Sequence, residues 1–464
     1  MYILGLDVGT SAVKAGVIDT DTLECVVGPA RRSYSLERDT TDQATLAPAV
    51  VWEALGQAAR EVTRQCSVRG VGLSCLTPAL ILLDRAFRPL VPFCTHLDRR
   101  SRPVAARIWH EVGEEFLQTT GNRPLPGGIS AVVYRWLSEQ DPLLARHVAH
   151  YWHMNSWLGH RLTGHTGFDP GNATFSGLMD LRRQCWSERW LTYFGVCQEW
   201  LPPIYDGRYS LGLLLEESAR HLGTEPGVPV KLGLPDTSSA WLAVDLRADE
   251  MLHVVGTTQV MAVHAAALRP APNRLTRWLG TQDRLIWVVH NPVGGAALEW
   301  IRQLCFSEIA AEQFYGEVLS EALQRKTDVR LDPPYLGGDR LEIEPRYAGL
   351  QGLTLATDRW DLLAALLDAI RRHHLAALEA LEVAWDSRHI PADCSERALS
   401  PSSSVPRMLR QVYLTGGGAD VVRRIIPGYD TPRVRRIEEA SLRGTGALFR
   451  TGQERTARET TVPS

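Results

Sequence analysis

Eight residues of this chain return, altered, in its second half, and that repeat limits the fold more than any other feature. Val8-Gly9-Thr10-Ser11-Ala12-Val13-Lys14-Ala15 aligns without a gap to Val255-Gly256-Thr257-Thr258-Gln259-Val260-Met261-Ala262, with five of the eight positions identical. Each copy sits between two apolar strands, the pattern of a hairpin. A match this short can arise by chance. Its weight comes from its placement near the starts of two halves of similar size, as a duplicated fold requires. A chain of 464 residues also exceeds what a single core holds. The expected division is therefore a first domain over 1–245, a second over 246–450, and a polar tail over 451–464 expected to be disordered.

Between the hairpins, strands and helices alternate. Residues 48–66 have helical spacing with Pro48 suited to a first turn, and strands follow in GVGLSCL and ALILLD. Residues 359–382 read as a long amphipathic helix. The stretch 385–408 is rich in Pro, Ser and charge and reads as a loop. QVYLTGGGADVVRRII, from 411, reads strand, glycine turn, helix. The class is α/β with layered sheet and helices. A net charge of −3 gives no concentrated basic face for nucleic acid or a membrane surface. Eight scattered cysteines form no CxxC pair or zinc spacing and suit reduced thiols. With no basic leader and no run of eighteen apolar residues, a cytoplasmic protein without a membrane span is expected.

The hairpin turns suggest a chemistry. A strand ending in Gly9-Thr10-Ser11 presents consecutive N–H groups and hydroxyls, a concavity that holds phosphate oxygens. Asp7 beside it could hold a hard divalent cation, although the same residues fit an ordinary turn with a solvated Asp. The second copy carries Val254 where the first has Asp7, so only one half brings the carboxylate. Lys14 stands out because Lys231 and Lys326 are the only other lysines. Gly416-Gly417-Gly418, between a strand and a helix, allows close approach of a planar or phosphorylated group, and no GxxxxGK[ST] loop occurs. Asp236, in GLPDTSSAWLAV, reads either as a helix cap or as a general base for phosphoryl transfer to an alcohol. Trp136, Trp152 and Trp157 could stack on a sugar, though core packing is the ordinary role. His373 and His374 are adjacent on the long helix, not a turn apart, which argues against a metal there.

In order along the chain, these segments resemble the FGGY carbohydrate kinase family. DVGTSAVKAGVID is similar to its first phosphate motif, VVGTTQVM to its second, GLPDTSSAWLAV to its catalytic-base motif and LTGGGAD to its adenosine motif. LILLDRAFRPLVPF with LDRRS, the NSWLGHRLTGHTGFDPGNATFSGLMDL stretch, NPVGGAALEWIR, PPYLGGDR and EEASLRGTGALF also match, to about residue 450. The resemblance implies two ribonuclease-H-like domains of the actin, hexokinase and chaperone type with a central cleft. It further implies ATP, Mg²⁺ and transfer of the γ-phosphate to a hydroxyl of a sugar or polyol. Carried over by position, Asp236 is the base, and Asp7 and Asp236 serve the metal. Gly9, Thr10, Ser11, Lys14, Gly256, Thr257, Thr258, Gly295, Gly417 and Gly418 serve the nucleotide, while Asp98, Thr77, Pro78 and Thr237 lie on the acceptor side. Homodimers are common in the family, but nothing in this sequence shows an interface.

The acceptor side departs from the xylulose kinases. Where they carry Gly-Gln-Met-His-Gly, this chain has Cys75-Leu76-Thr77-Pro78-Ala79, so Pro78 replaces a sugar-contacting His. His96-Leu97 replaces a Trp-Asn before Asp98, Val133 a common Lys, and Thr237 an Asn or Gln after the base. A ketopentose such as xylulose is the acceptor the likeness favours, with its identity left open by these changes. A nucleotide-binding sensor of the same fold that no longer phosphorylates sugar is the alternative; retention of Asp7 and Asp236 speaks against it. An actin- or chaperone-like ATPase needs no sugar base and ranks last.

Overall fold

The computed structural model describes residues 1–40, 42–256, 259–280, 284–291, 293–334, 336, 342–385 and 407–450. Thr257 and Thr258, nearly all of the 385–408 loop, and the tail from 451 lie outside the described residues.

The first half opens with β1 (Tyr2–Val8), β2 (Ala12–Asp19) and β3 (Cys25–Ser33), so the hairpin at the first motif forms where its alternation places it. α1 (Pro48–Thr63) follows, with Val51, Leu55, Ala58, Ala59 and Val62 buried along one face. β4 (Val71–Cys75) is buried along its whole length and runs parallel to β1. Later come α2 (Pro170–Ser176), β5 (Ser210–Leu213), β6 (Pro229–Lys231), β7 (Leu234–Pro235) and α3 (Asp236–Val244). The strands form one sheet in the order β5-β6-β4-β1-β2-β3, with β7 added beside β4.

The second half contributes β8 (Glu250–Val255), β9 (Gln259–His264), β10 (Leu275–Trp278), β11 (Leu285–Asn291) and α4 (Gly295–Cys305). α5 (Arg359–Ala380), β12 (Gln411–Thr415), α6 (Ala419–Ile425), β13 (Val434–Ile437) and α7 (Ala440–Ala447) complete it. Its sheet order is β10-β11-β9-β8-β12-β13. Both sheets therefore share one plan. Three antiparallel strands (β3-β2-β1 and β11-β9-β8) are extended by two strands parallel to the first of them (β4, β6 and β12, β13). The likeness read from eight residues extends to the plan of both sheets.

The closing helix α7 does not stay with its own sheet. Gly5, Gly16 and Gly72 stand side by side on β1, β2 and β4. A Cβ on Gly72 would meet the Thr445 carbonyl at 2.7 Å, and one on Gly16 would meet Leu442 at 3.1 Å. This row of missing side chains is the groove in which α7 lies. α7 also crosses α3 closely: a Cβ on Gly444 would overlap the Ser239 carbonyl, and Ser239 Oγ donates to the Ser441 carbonyl at 2.7 Å. The last helix of the second half is thereby bound to the first sheet, beneath the first hairpin.

Candidate active site

Asp7 is the last residue but one of β1, across from Lys14 on β2 and Ser74 on β4. Its carboxylate is buried. Ser74 Oγ donates to Oδ1 at 2.8 Å, and Ser441 Oγ, from α7, donates to Oδ2 at 2.7 Å. Burial pushes its pKa up to about 6 against the pull of those two hydroxyls, and the nearby negative charge of Asp236 pushes the same way. A buried carboxylate next to another carboxylate is a poor structural element and a good cation ligand.

Asp236 opens α3 at the end of the short strand β7, where Pro235 supplies the extended residue before the helix. Its Oδ1 accepts from the backbone N–H of Thr237 at 2.6 Å and from the Thr237 hydroxyl at 3.1 Å. Thr237, expected on the acceptor side, thus fixes the orientation of the Asp236 carboxylate. That leaves Oδ2 of a half-buried side chain without a hydrogen bond among the described residues.

The glycines expected at the nucleotide gather around the end of β8. Gly295, at the start of α4, donates to the Gly256 carbonyl at 3.2 Å, where a Cβ would come within 2.8 Å. Gly416 has φ +97°, and a side chain there would drive into the Val255 carbonyl; Gly418 N–H donates to that same carbonyl at 3.1 Å. Gly417 faces open space. On the first hairpin, Gly9 N–H bonds the Ala12 carbonyl at 2.9 Å and Tyr34 OH braces the Gly9 carbonyl at 2.5 Å, while Ser11 is exposed. The Lys14 ammonium is held by Glu439 at 2.6 Å.

The side expected to face the acceptor rests on a buried polar chain that sequence reasoning missed. Thr77 Oγ1 donates to Asn172 Oδ1 at 2.6 Å, and His153 Nδ1 lies 2.9 Å from the same oxygen. Asn172 Nδ2 donates to Asp169 at 2.5 Å and to Asn155 at 3.2 Å. With Oδ1 an acceptor, His153 must carry its proton on Nδ1. Nε2 then accepts from Ser130 at 2.7 Å, and Ser130 accepts from Tyr151 OH at 2.6 Å. Burial depresses the His153 pKa to about 4, so the ring is neutral. Asp169 caps α2 through the Asn172 N–H, and burial raises its pKa to about 6. The local signal was the Asp-Pro-Gly-Asn of FDPGNATFSG, an N-cap followed by Pro at the first helical position. Pro78 is buried beside Thr77, so the 75–79 segment shapes the wall. Asp98 is also buried, but its carboxylate is committed to Arg100 at 2.8 Å and to the Ala44 N–H at 3.2 Å. Trp136 stacks under Arg100, and Trp157 packs against Trp52 and Phe93.

Arg277, on β10 of the second half, gave no local signal at all. It is 2% exposed, and its charge is felt by both Asp236 and Asp169.

Among the described residues, no cluster of three or more His, Cys, Asp or Glu is placed to hold a metal, and no helix is long and apolar enough to cross a membrane. Residues 2–243 match the model of the FGGY family of carbohydrate kinases, N-terminal domain. The gluconokinase of Bacillus subtilis is 25% identical over 80% of this chain and 74% of its own length. The L-xylulose/3-keto-L-gulonate kinase of Escherichia coli is 25% identical over 84% of this chain and 79% of its own. The xylulose kinase of Rhodospirillum rubrum superposes with a TM-score of 0.78 at 22% identity, covering 99% of this chain and 95% of that one. Paired sheets of one plan, a carboxylate at the first hairpin, a second at the head of α3 and a glycine cradle across from them agree with that match. The chain belongs to the FGGY family of carbohydrate kinases, phosphotransferases whose acceptor is an alcohol.

Proposed function

We propose that the protein transfers the γ-phosphate of ATP to a hydroxyl of a sugar or sugar derivative, with Asp236 as general base. The observation that carries this reading is the way Asp236 is held. Thr237 occupies one oxygen with two hydrogen bonds, so the other is aimed and available to take a proton from an attacking hydroxyl. Asp7, close enough for the two charges to repel, has a different task. The pair suits a hard divalent cation, with phosphate and water oxygens completing its shell. Magnesium bound there would withdraw charge from the transferring phosphoryl group.

The residues around β8 fit the nucleotide. Gly295, Gly416 and Gly418 keep side chains off the carbonyls of Val255 and Gly256, and open Gly417 lets a flat or phosphorylated group approach the backbone. Gly9, Thr10 and Ser11 would meet the phosphates from the opposite side, with Gly256, Thr257 and Thr258. Lys14, tied to Glu439, would act on this loop through its charge rather than by a free ammonium. The acceptor would lie over Thr77, Pro78 and Asp236. The relatives named above extend the acceptor class from a ketopentose to gluconate and 3-keto-L-gulonate.

The test is ADP release by purified protein with Mg-ATP across ketoses, alditols and sugar acids, with the phosphorylated product identified. An acceptor-dependent signal lost in Asp236→Asn is expected. ATP hydrolysis of the same rate with and without every acceptor would overturn the reading.

A further inference from the structure

The guanidinium of Arg277 is a buried cation whose bonding is unfinished. Its Nε–H is buried with no hydrogen-bond partner, and Nη1 reaches only Ser238 Oγ at a long 3.4 Å. The ring of Phe175 covers one face, its centroid 4.6 Å from Cζ, so what remains under-bonded is the in-plane edge that carries the donors. Burial pulls its pKa down to about 10 while Asp236 and Asp169 push it back up, and the group stays charged.

Neither acid completes it. Asp169 Oδ1 and Oδ2 accept from the Asn172 N–H and amide, and Asp236 Oδ1 accepts from Thr237. Among the described residues Arg277 closes no ion pair with either. Turning Asp169 toward it would break the cap of α2. A buried charge left this way costs several kcal/mol, and a folded chain tolerates that most readily where a ligand supplies the missing acceptor.

The second half delivers Arg277 to this place deliberately. β10 is the edge strand of its sheet, and first-half groups hold its outer side. The Asn122 side chain exchanges both hydrogen bonds with the Thr276 backbone, at 2.9 and 3.1 Å. Trp278 N–H bonds Thr174 Oγ1 at 3.3 Å, and Gly207 N–H bonds the Gly280 carbonyl at 3.0 Å. Flanked on both sides, Arg277 is fixed in register beside the base of the first half.

We infer that Arg277 binds a carboxylate of the acceptor, so that the sugar phosphorylated at Asp236 is a sugar acid, an aldonate or ketoaldonate. The fork of a guanidinium presents parallel donors that a planar carboxylate meets with two oxygens, whereas a hydroxyl offers one. The pocket's other polar groups leave little to compete: Thr77 is spent on Asn172 and Asp98 on Arg100. This inference rests on the proposed kinase reading, and the experiment separates the two.

Wild-type kcat/KM is measured on gluconate and other aldonates, on ketoaldonates, and on the alditol or ketose of matched chain length. Binding of the same compounds is followed by calorimetry on Asp236→Asn, with and without Arg277→Gln and Arg277→Lys, after circular dichroism has checked the fold. Wild type is expected to prefer the acids on the order of 10–100-fold, the worth of charge-assisted bonds. Arg277→Gln is expected to collapse that ratio, and Arg277→Lys, which keeps the charge but not the fork, to restore part of it. Equal or better use of the neutral partners by wild type overturns the inference, whether or not the variants fold. Phosphorylation of nothing, with Arg277-dependent binding of acids, overturns the kinase reading and leaves standing only the contact between Arg277 and a carboxylate. Loss of acid and neutral acceptor to the same degree in Arg277→Gln assigns the residue to hydroxyls or to the seam, and also overturns it.

Discussion

The two hairpins occupy the same place in sheets of the same plan and have been given different work. On β1 the residue before the final Val is Asp7; on β8 it is Val254. Beside them on the fourth strand stand Ser74 and Thr415, and then the chains diverge, into Cys75-Leu76-Thr77-Pro78 in one half and Gly416-Gly417-Gly418 in the other. The registers differ as well. Val8 pairs with Val13, whereas Val255 pairs with Gln259, so the second loop is one residue shorter. A slip of one exchanges the faces of the returning strand. Lys14 is consequently half-exposed, and its sequence counterpart Met261 is buried. Gln259, where the first copy has Ala12, is buried and ties His253 to the Val293 carbonyl. One framework thus yields a half whose loops carry acids and a half whose loops carry space. On the proposed reading, proton and metal chemistry falls to the first and accommodation of a nucleotide to the second.

The largest break in that division is expected at Asp236. Asp236→Asn keeps the hydrogen bonds from Thr237 but removes the base, and kcat should fall by about 10²–10⁴-fold with the KM for ATP little changed. A comparable rise in the KM for ATP would show that the acid half also holds the nucleotide. The mirror experiment is Gly416→Ala. The left-handed φ and the Val255 carbonyl both oppose a Cβ, so a stability loss of roughly 1–3 kcal/mol and a raised KM for ATP are expected, with acceptor KM retained. Denaturant unfolding and initial-rate kinetics read the two effects separately.

Next in size is the control of Asp7 from the other end of the chain. Ser441 Oγ lowers the Asp7 pKa, and Ser441→Ala removes that bond while leaving Ser74 in place. A hydrogen bond worth about 1 kcal/mol corresponds to roughly 0.7 of a pH unit. The acid limb of the kcat/KM profile is therefore expected near 6 in the wild type and higher by about that much in the variant. An unmoved limb would mean that another group sets it.

How much of this was legible follows from which interactions are local. The first hairpin, α1, the long α5 and the strand-glycine-helix at 411–425 were readable because periodicity and turn residues are set within a few positions. Asp236 was readable because a Pro-Asp step before a run of small residues is a local event, and the family likeness gave it a role. Asp98 was assigned to the acceptor from its position, yet its carboxylate is bound to Arg100, two residues away. Thr237, assigned to the acceptor by position, bonds the Asp236 carboxylate through its N–H and hydroxyl. Nothing in the sequence could place Ser441 on Asp7, Glu439 on Lys14 or Arg277 near Asp169, since each joins residues more than a hundred positions apart through the packing of α7 and β10 on the other half. The row Gly5, Gly16, Gly72 was visible as letters, but its purpose appears only when three strands lie in register.

The effect with the least bearing on rate concerns stability, and it sets the two hairpins against each other directly. Asp7 is raised from an ordinary 3.8 to about 6, so the folded state holds its proton over a pH range in which the unfolded chain has lost it. Stability from this group falls as pH rises from about 4 to 6, and the penalty is complete above 6. His253 is lowered from 6.5 to about 4 by burial, so the unfolded chain binds the proton first. Stability from this group is complete above 6.5 and is lost as pH falls toward 4. The two slopes oppose each other across the same window, on top of those of His153 and Asp169, which both variants leave in place. Asp7→Asn should unmask the imidazole slope: melting temperature should climb more steeply from pH 4 to 6.5 than in the wild type, and at pH 8 the inactive variant should be the more stable protein. His253→Gln should do the reverse, matching the wild type at pH 8, apart from the lost bond to Tyr429, and gaining on it at pH 5. Parallel melting curves for both variants from pH 4 to 8 would show that neither carboxylate nor imidazole is buried in the state that unfolds, and the contrast between an acid half and a neutral half would lose its thermodynamic basis.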